Sequence, residues 1–123
     1  MSPYSFFYFC PEGENLMALE SGFQSKLIRE LKKMFPGCMV MKTDPSYIQG
    51  LPDLLILYGD KWATLECKRR ANAKRQPNQP YYVDKMDKMS FSRFICPENK
   101  ESVLLELQHA FTTGGATRVP ERK

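Results

Sequence analysis

The sequence has a single histidine in 123 residues, His109, and its four cysteines, Cys10, Cys38, Cys67 and Cys96, lie almost evenly apart with no CxxC pair or Cys/His cluster. A Ser-His-Asp relay or a histidine-dependent nuclease site would have to be built on His109 alone, and that residue falls in an expected C-terminal helix as an exposed position. The cysteines suggest neither a zinc site nor a disulfide framework, and they fit buried thiols in a reducing compartment. No apolar run approaches a membrane span. The apolar SFFYF stretch near the start is short, lacks a basic segment before it, and runs into Cys10-Pro11-Glu12-Gly13-Glu14 instead of a small-residue cleavage site. These absences lead to the expectation of a soluble, cytoplasmic protein. A chain of this length builds one core and not two. Net charge is also small, +4 from 18 Lys and Arg against 14 Asp and Glu, so the charge distribution carries more information than the total. What remains for chemistry is carboxylate and lysine.

Those residues gather in Gly50 to Arg70, GLPDLLILYGDKWATLECKRR. Two strand-like runs, Asp53 to Tyr58 and Lys61 to Lys68, flank Gly59-Asp60, a pair that closes two-residue hairpins. Antiparallel register then sets Tyr58 against Lys61, Leu57 against Trp62, Leu55 against Thr64, and Asp53 against Glu66 on one face. Lys68, two residues past Glu66, shares that face, and Cys67 between them points into the opposite, buried one.

Opposed carboxylates have Cβ atoms roughly 4.5 to 5.5 Å apart and repel, so something cationic belongs between them. An oxygen-only pair suits Mg²⁺ or Mn²⁺, which accept one or two carboxylates and keep waters that a phosphate can replace. The neighbouring Lys68 ammonium is then placed to position or activate the attacking water. The plainer alternative is two unrelated surface acids with Lys68 as an ordinary ion-pair partner. The register, the Glu-X-Lys spacing and the apolar strand cores LLILY and WATLE weigh against it.

Pro52-Asp53 followed after a hairpin by Glu66-Cys67-Lys68 resembles the PD-(D/E)XK signature of metal-dependent nucleases. The wider chain, from about Glu20 to Phe111, resembles the small stand-alone VRR-NUC members of that superfamily found in phages and bacteria. It has an acid on an opening helix, a Gly-X-Pro-Asp-Leu step, the Glu-X-Lys strand and a following Gln-containing segment, in that order. The resemblance implies a restriction-endonuclease-like α-β-β-β-α-β core, that is, an α/β fold with a mixed four-stranded sheet flanked by helices. It also implies a Mg²⁺- or Mn²⁺-dependent endodeoxyribonuclease in a bacterium or phage-infected cell. Asp53 and Glu66 would hold the metal, helped by Glu20 and the Cys67 backbone carbonyl, and Lys68 would complete the catalytic set. Compact phage members further imply branched DNA, such as a four-way junction, as substrate, and a homodimer to supply two active sites.

Along the chain, residues 1–15 lack a helical period and form an aromatic N-terminal arm whose Tyr4, Phe6, Phe7, Tyr8 and Phe9 need an apolar home on this core or on a partner. From Leu16, Leu19, Phe23, Leu27, Leu31 and Phe35 recur every four positions, widened by Ile28 and Met34, which predicts an amphipathic helix ended by Pro36-Gly37. Glu20 borders that stripe, where a favourable helix-dipole charge is the simpler role and a metal ligand the one the resemblance implies. Cys38 to Lys42 reads as a strand beside the hairpin. Residues 43–50 form a loop at the mouth of the site, where Lys42 and Tyr47 could touch substrate. Tyr47 could equally pack in the core, and Asp44 fits a turn residue before Pro45.

After the hairpin, Lys68, Arg69, Arg70, Lys74 and Arg75 form a basic cluster suited to a phosphate backbone, or else a solvated loop. Gln79 precedes a helix begun at Pro80, where backbone N–H groups favour a phosphate, and Tyr82, Met86 and Met89 are its expected inward stripe. Phe91 to Cys96 reads as a fourth strand. Asn99 is the expected cap of a helix whose Val103, Leu104, Leu107 and Phe111 face inward. The nuclease domain is expected over residues 16–111, with a flexible basic tail over 112–123. Two other functions fit the same residues: a catalytically inactive nucleic-acid-binding module of this fold, and a small phage protein that inhibits a host factor through the aromatic arm.

Overall fold

The computed structural model describes residues 19–44 and 46–114. Helix α1, Leu19–Met34, sets its apolar repeat against the core from Phe23 on, with Leu27 and Leu31 fully buried and Phe35 following just past its end. Gly37, at φ +89, reverses the chain after it. Three strands follow, β1 (Met39–Lys42), β2 (Leu54–Tyr58) and β3 (Lys61–Cys67). Helix α2, Gln79–Met89, then crosses to β4, Ser92–Ile95, and α3, Lys100–His109, closes the core with a π-helical turn, Ala110–Gly114, after it.

Strand order is β1-β2-β3-β4, with β1 and β3 antiparallel to β2 and β4 parallel to β3. The parallel step needs a crossover, and α2 supplies it. The fold is therefore α/β, a mixed four-stranded open sheet flanked by helices. Gly59-Asp60 closes the hairpin, with Gly59 at φ +65, and sets Tyr58 opposite Lys61, Leu57 opposite Trp62 and Leu55 opposite Thr64, as the turn chemistry predicts. Among the described residues no helix is long and apolar enough to cross a membrane.

Alternation along the strands divides the sheet into two unlike faces. Leu54, Ile56, Ala63, Leu65, Cys67 and Ile95 meet α1 and α3 through Leu27, Leu31, Val103, Leu104 and Leu107. Phe35, Tyr58 and Phe111 close one end of this core with ring centroids 5.0 to 5.6 Å apart. The opposite face buries polar residues, Thr64, Glu66 and Ser92. The Thr64 hydroxyl donates to Ser92 Oγ at 2.8 Å, and Ser90 Oγ donates to the Trp62 carbonyl.

Three sequence expectations are corrected here. Met89 is exposed and Val83 is buried on α2, because Val83 and Ser90, two turns apart, share the face on which Ser90 reaches the Trp62 carbonyl, and Met89 falls about 100° off it. Asn99 does not cap α3 with its side chain. Its Oδ1 accepts from Cys96 N at 2.8 Å and its Nδ2 donates to the Phe94 carbonyl at 3.1 Å, so it closes the turn out of β4. Strand β2 starts at Leu54, since the Asp53 side chain takes the N–H of Cys67 that a ladder carbonyl would otherwise have met. The aromatic arm, Cys10 and most of the tail lie outside the described residues, and the boundary expected at residue 112 falls within the π-helical turn.

Candidate active site at the end of the hairpin

The register Leu54↔Leu65 ends the β2–β3 ladder, and Asp53 and Glu66 are the next residues on each strand. Asp53 is half-buried, and its Oδ2 accepts the Cys67 N–H at 2.9 Å. Glu66 is 3% exposed, beneath the start of α2. Lys68 N donates to the Ile95 carbonyl at 2.8 Å, which continues the parallel ladder by one residue and holds the side chain on the Glu66 face. Lys68 Nζ lies 3.7 Å from Glu66 Oε2, and both side chains are largely removed from water. An ammonium beside a buried carboxylate offsets part of the cost of burying either charge.

Gln79 joins these two groups. Its Nε2 donates to Glu66 Oε2 at 2.6 Å, while its Oε1 accepts from Lys68 Nζ at 2.8 Å and from Gln76 N at 2.9 Å. Only this amide orientation puts the donor on the carboxylate and the acceptor on the ammonium. Lys68 Nζ also donates to the Lys74 carbonyl at 3.1 Å, so the loop between β3 and α2 wraps over the site. The loop meets the Pro52-Asp53 segment at Gly50. That residue has φ +96, and a Cβ there would sit 2.4 Å from Asn78 Cβ. Only glycine fits both the backbone angle and the contact. Asn78 Nδ2 donates to the Gln49 carbonyl at 3.4 Å across the same junction.

The other residues singled out from the sequence are placed as follows. Cys67 Sγ is buried in the core face, so its peptide alone touches the site. A strand residue directs its N–H and C=O to the same neighbour, which turns the Cys67 carbonyl toward Asp53 as well. Glu20 lies in the first turn of α1, but its side chain falls outside the described residues. Lys42 is exposed and pairs with Leu54, so it stands at the same end of the sheet on the face away from Glu66. Arg69 is half-buried, and Arg70, Lys74 and Arg75 are exposed on the loop. Gln79 is turned into the site, clasping Glu66 and Lys68. Tyr47 is 79% exposed and forms no part of the core. Asp44 is the turn residue expected, accepting from Ser46 N and Oγ at 2.9 and 2.6 Å, and these bonds hold its carboxyl below the usual range.

Sequence reasoning missed two features of the loop. The Glu98 carboxylate accepts from Ala71 N at 3.1 Å and anchors the loop's far side, and the Arg75 guanidinium lies over the Phe94 ring at 3.8 Å. No local spacing signals either, because both depend on the parallel placement of β4 beside β3.

Among the described residues cysteine chemistry has no support. Cys67 and Cys96 are buried, and burial pushes the Cys38 thiol up, away from the reactive thiolate. Two carboxylates and a backbone carbonyl make an oxygen-only donor set that fits a hard divalent cation with several waters. Among the described residues no group of three or more His, Cys, Asp or Glu gathers in a metal-ligating arrangement, so Asp53 and Glu66 are the described side chains that would hold one. No protein-family model, curated protein or solved structure matches the chain.

Proposed function

We propose that this chain is a Mg²⁺- or Mn²⁺-dependent endonuclease that hydrolyses phosphodiesters in DNA, with a preference for branched structures. The observation that carries the reading is the approach of Lys68 Nζ to within 3.7 Å of the buried Glu66 carboxylate, beside Asp53 and under a loop rich in arginine and lysine. A restriction-endonuclease-like core agrees with the element order, and the resemblance of Pro52-Asp53 and Glu66-Cys67-Lys68 to the PD-(D/E)XK signature agrees with the site.

Asp53 and Glu66 would hold the cation, with the Cys67 carbonyl and Glu20 as further ligands. When bound, such a cation neutralises phosphate charge and lowers the pKa of water at the site. Asp53 is fixed by the Cys67 N–H at Oδ2, so its carboxylate is oriented before substrate arrives. Lys68 donates toward the scissile phosphate or the attacking water, and its charge favours the extra negative charge of the transition state. Gln79 holds Glu66 and Lys68 at a fixed spacing, which removes a reorganisation step. Arg69, Arg70 and Lys74 would bind flanking phosphates, and two copies would cut the two strands of a junction.

A second reading, a binding module of this fold that does not cut, is favoured by the engagement of Lys68 with Gln79 and the Lys74 carbonyl. One assay separates the two. Wild-type protein should cut plasmid or four-way-junction DNA with Mg²⁺ or Mn²⁺, and Asp53→Ala and Lys68→Ala should not, while circular dichroism reports folded variants. DNA binding with no cutting by the wild type under any of these conditions would establish the binder instead.

A further inference from the structure

Phe94 pairs with Glu66 across the parallel β3–β4 ladder, so its ring stands on the same face as the buried carboxylate, one strand further out. Strand β4 is the sheet edge among the described residues, and the ring is half-buried. The Arg75 guanidinium lies over that ring at 3.8 Å from its centroid, a contact distance for a cation resting on an aromatic face. Among the described residues Arg75 has no salt-bridge partner, in contrast to Arg93 on the same edge, which pairs with Asp87 and Glu106. Arg75 is exposed, so the face of the guanidinium turned away from Phe94 meets solvent. The loop that carries it is tied down on both sides, by Gln76 N to Gln79 Oε1 at 2.9 Å and by Ala71 N to Glu98 Oε1 at 3.1 Å.

We infer that the Arg75–Phe94 stack is a binding site for one unpaired nucleobase beside the catalytic carboxylates. The inference rests on the proposed reading that DNA enters this site. A planar guanidinium, unlike an ammonium, stacks a base on its face and binds an adjacent phosphate through the N–H groups on its edge. Phe94 holds that plane in place, so little freedom is lost when a base lands on it. A stacked base is read by its π-face and not by its identity, so the site selects unpaired over paired nucleotides with little sequence preference. A fully paired duplex offers no free face. Flaps, overhangs and the opened centre of a junction do.

The test is fluorescence anisotropy with a labelled duplex carrying a short single-stranded overhang, against the blunt duplex of the same sequence, in EDTA. Wild-type protein should bind the overhang duplex more tightly. Arg75→Lys, which keeps the charge and loses the plane, and Phe94→Leu, which removes the backing ring, should each lower that preference about tenfold while blunt-duplex binding changes little. Arg75→Lys sits on an exposed loop and keeps the experiment decisive should Phe94→Leu unfold. Equal binding of the two duplexes by the wild type, or an unchanged preference in Arg75→Lys, would overturn the inference. Because the measurement contains no metal and reads no cutting, a protein that prefers the overhang but never cleaves would defeat the nuclease reading alone. A protein that cleaves with no overhang preference would defeat the stacking site alone.

Discussion

Lys68 Nζ stands 3.7 Å from Glu66 Oε2, two residues away on the same face of β3, and the Gln79 amide touches both. Replacing Lys68 by Met leaves Glu66, 3% exposed, without its cation. Chemical denaturation should then show a loss of about 3 kcal/mol. The Glu66→Met/Lys68→Met double variant, which buries no charge there, should be more stable than Lys68→Met alone. Both should cut DNA at least about 100-fold more slowly than wild type in a plasmid-nicking assay.

Gln79→Ala removes the bridge and leaves a buried carboxylate oxygen and an ammonium short of a bond. The expected cost is about 1 to 3 kcal/mol, read as a lower melting temperature. Gln79→Glu sets a second carboxylate against Glu66. Like charges raise each other's pKa, so its stability deficit should grow as pH rises from 5 to 8, whereas that of Gln79→Ala should stay nearly flat.

Gly50→Ala combines a backbone angle of φ +96 with a Cβ 2.4 Å from Asn78 Cβ. The angle alone costs about 1 to 2 kcal/mol. Relief of the clash must shift Asn78 and so Gln79, so catalytic rate should fall further than stability accounts for. Gly22→Ala, where a Cβ meets nothing within 4 Å, is the control and should leave cutting unchanged.

Arg70 and Lys74 are exposed on the loop over the site. Each contact of theirs with a phosphate releases counterions. Arg70→Ala or Lys74→Ala should therefore reduce the slope of log binding constant against log salt by about 0.9. An unchanged slope would place that residue away from the DNA.

Asp44 and Glu98 both have folded-state pKa values held below the usual carboxylate range. For Asp44 the causes are the Ser46 hydroxyl and N–H; for Glu98, its own backbone N–H, the Cys96 thiol and then the Ala71 N–H. A lowered folded pKa means that the unfolded chain binds protons first. The stabilisation is therefore present above the unfolded pKa and is lost as pH falls through the folded one. Ser46→Ala should lower the melting temperature near neutrality, where that stabilisation is present, and converge with wild type below about pH 4, so that the acid limb of its profile is flatter.

The elements governed by local periodicity were legible in the sequence. The four-residue repeat of α1 and the Gly-Asp turn fix the helix and the hairpin register without tertiary information, and the register brings Asp53 and Glu66 to one end. Asp44 was legible for the same reason, since its bond reaches only two residues along. Positions set by packing between distant segments were not. Val83 is buried and Met89 exposed because α2 turns the face shared by Val83 and Ser90 toward a strand 28 residues from Ser90, and Asn99 serves the preceding turn because Cys96 and Phe94 offer it partners. Gln79 is expected just ahead of a helix begun at Pro80 and is instead the first residue of α2, and the spacing does not reveal that Glu66 and Lys68 claim its amide before any phosphate.

Cys67 faces two ways: its sulfur belongs to the interior, and its N–H grips Asp53. A substitution there reaches Asp53 through one peptide, with no intervening side chain to absorb it. A methyl group too many at this point, as in Cys67→Val, is a fault in the foundation that shows first at the doorway. Heating should likewise silence the site and melt the interior over the same few degrees.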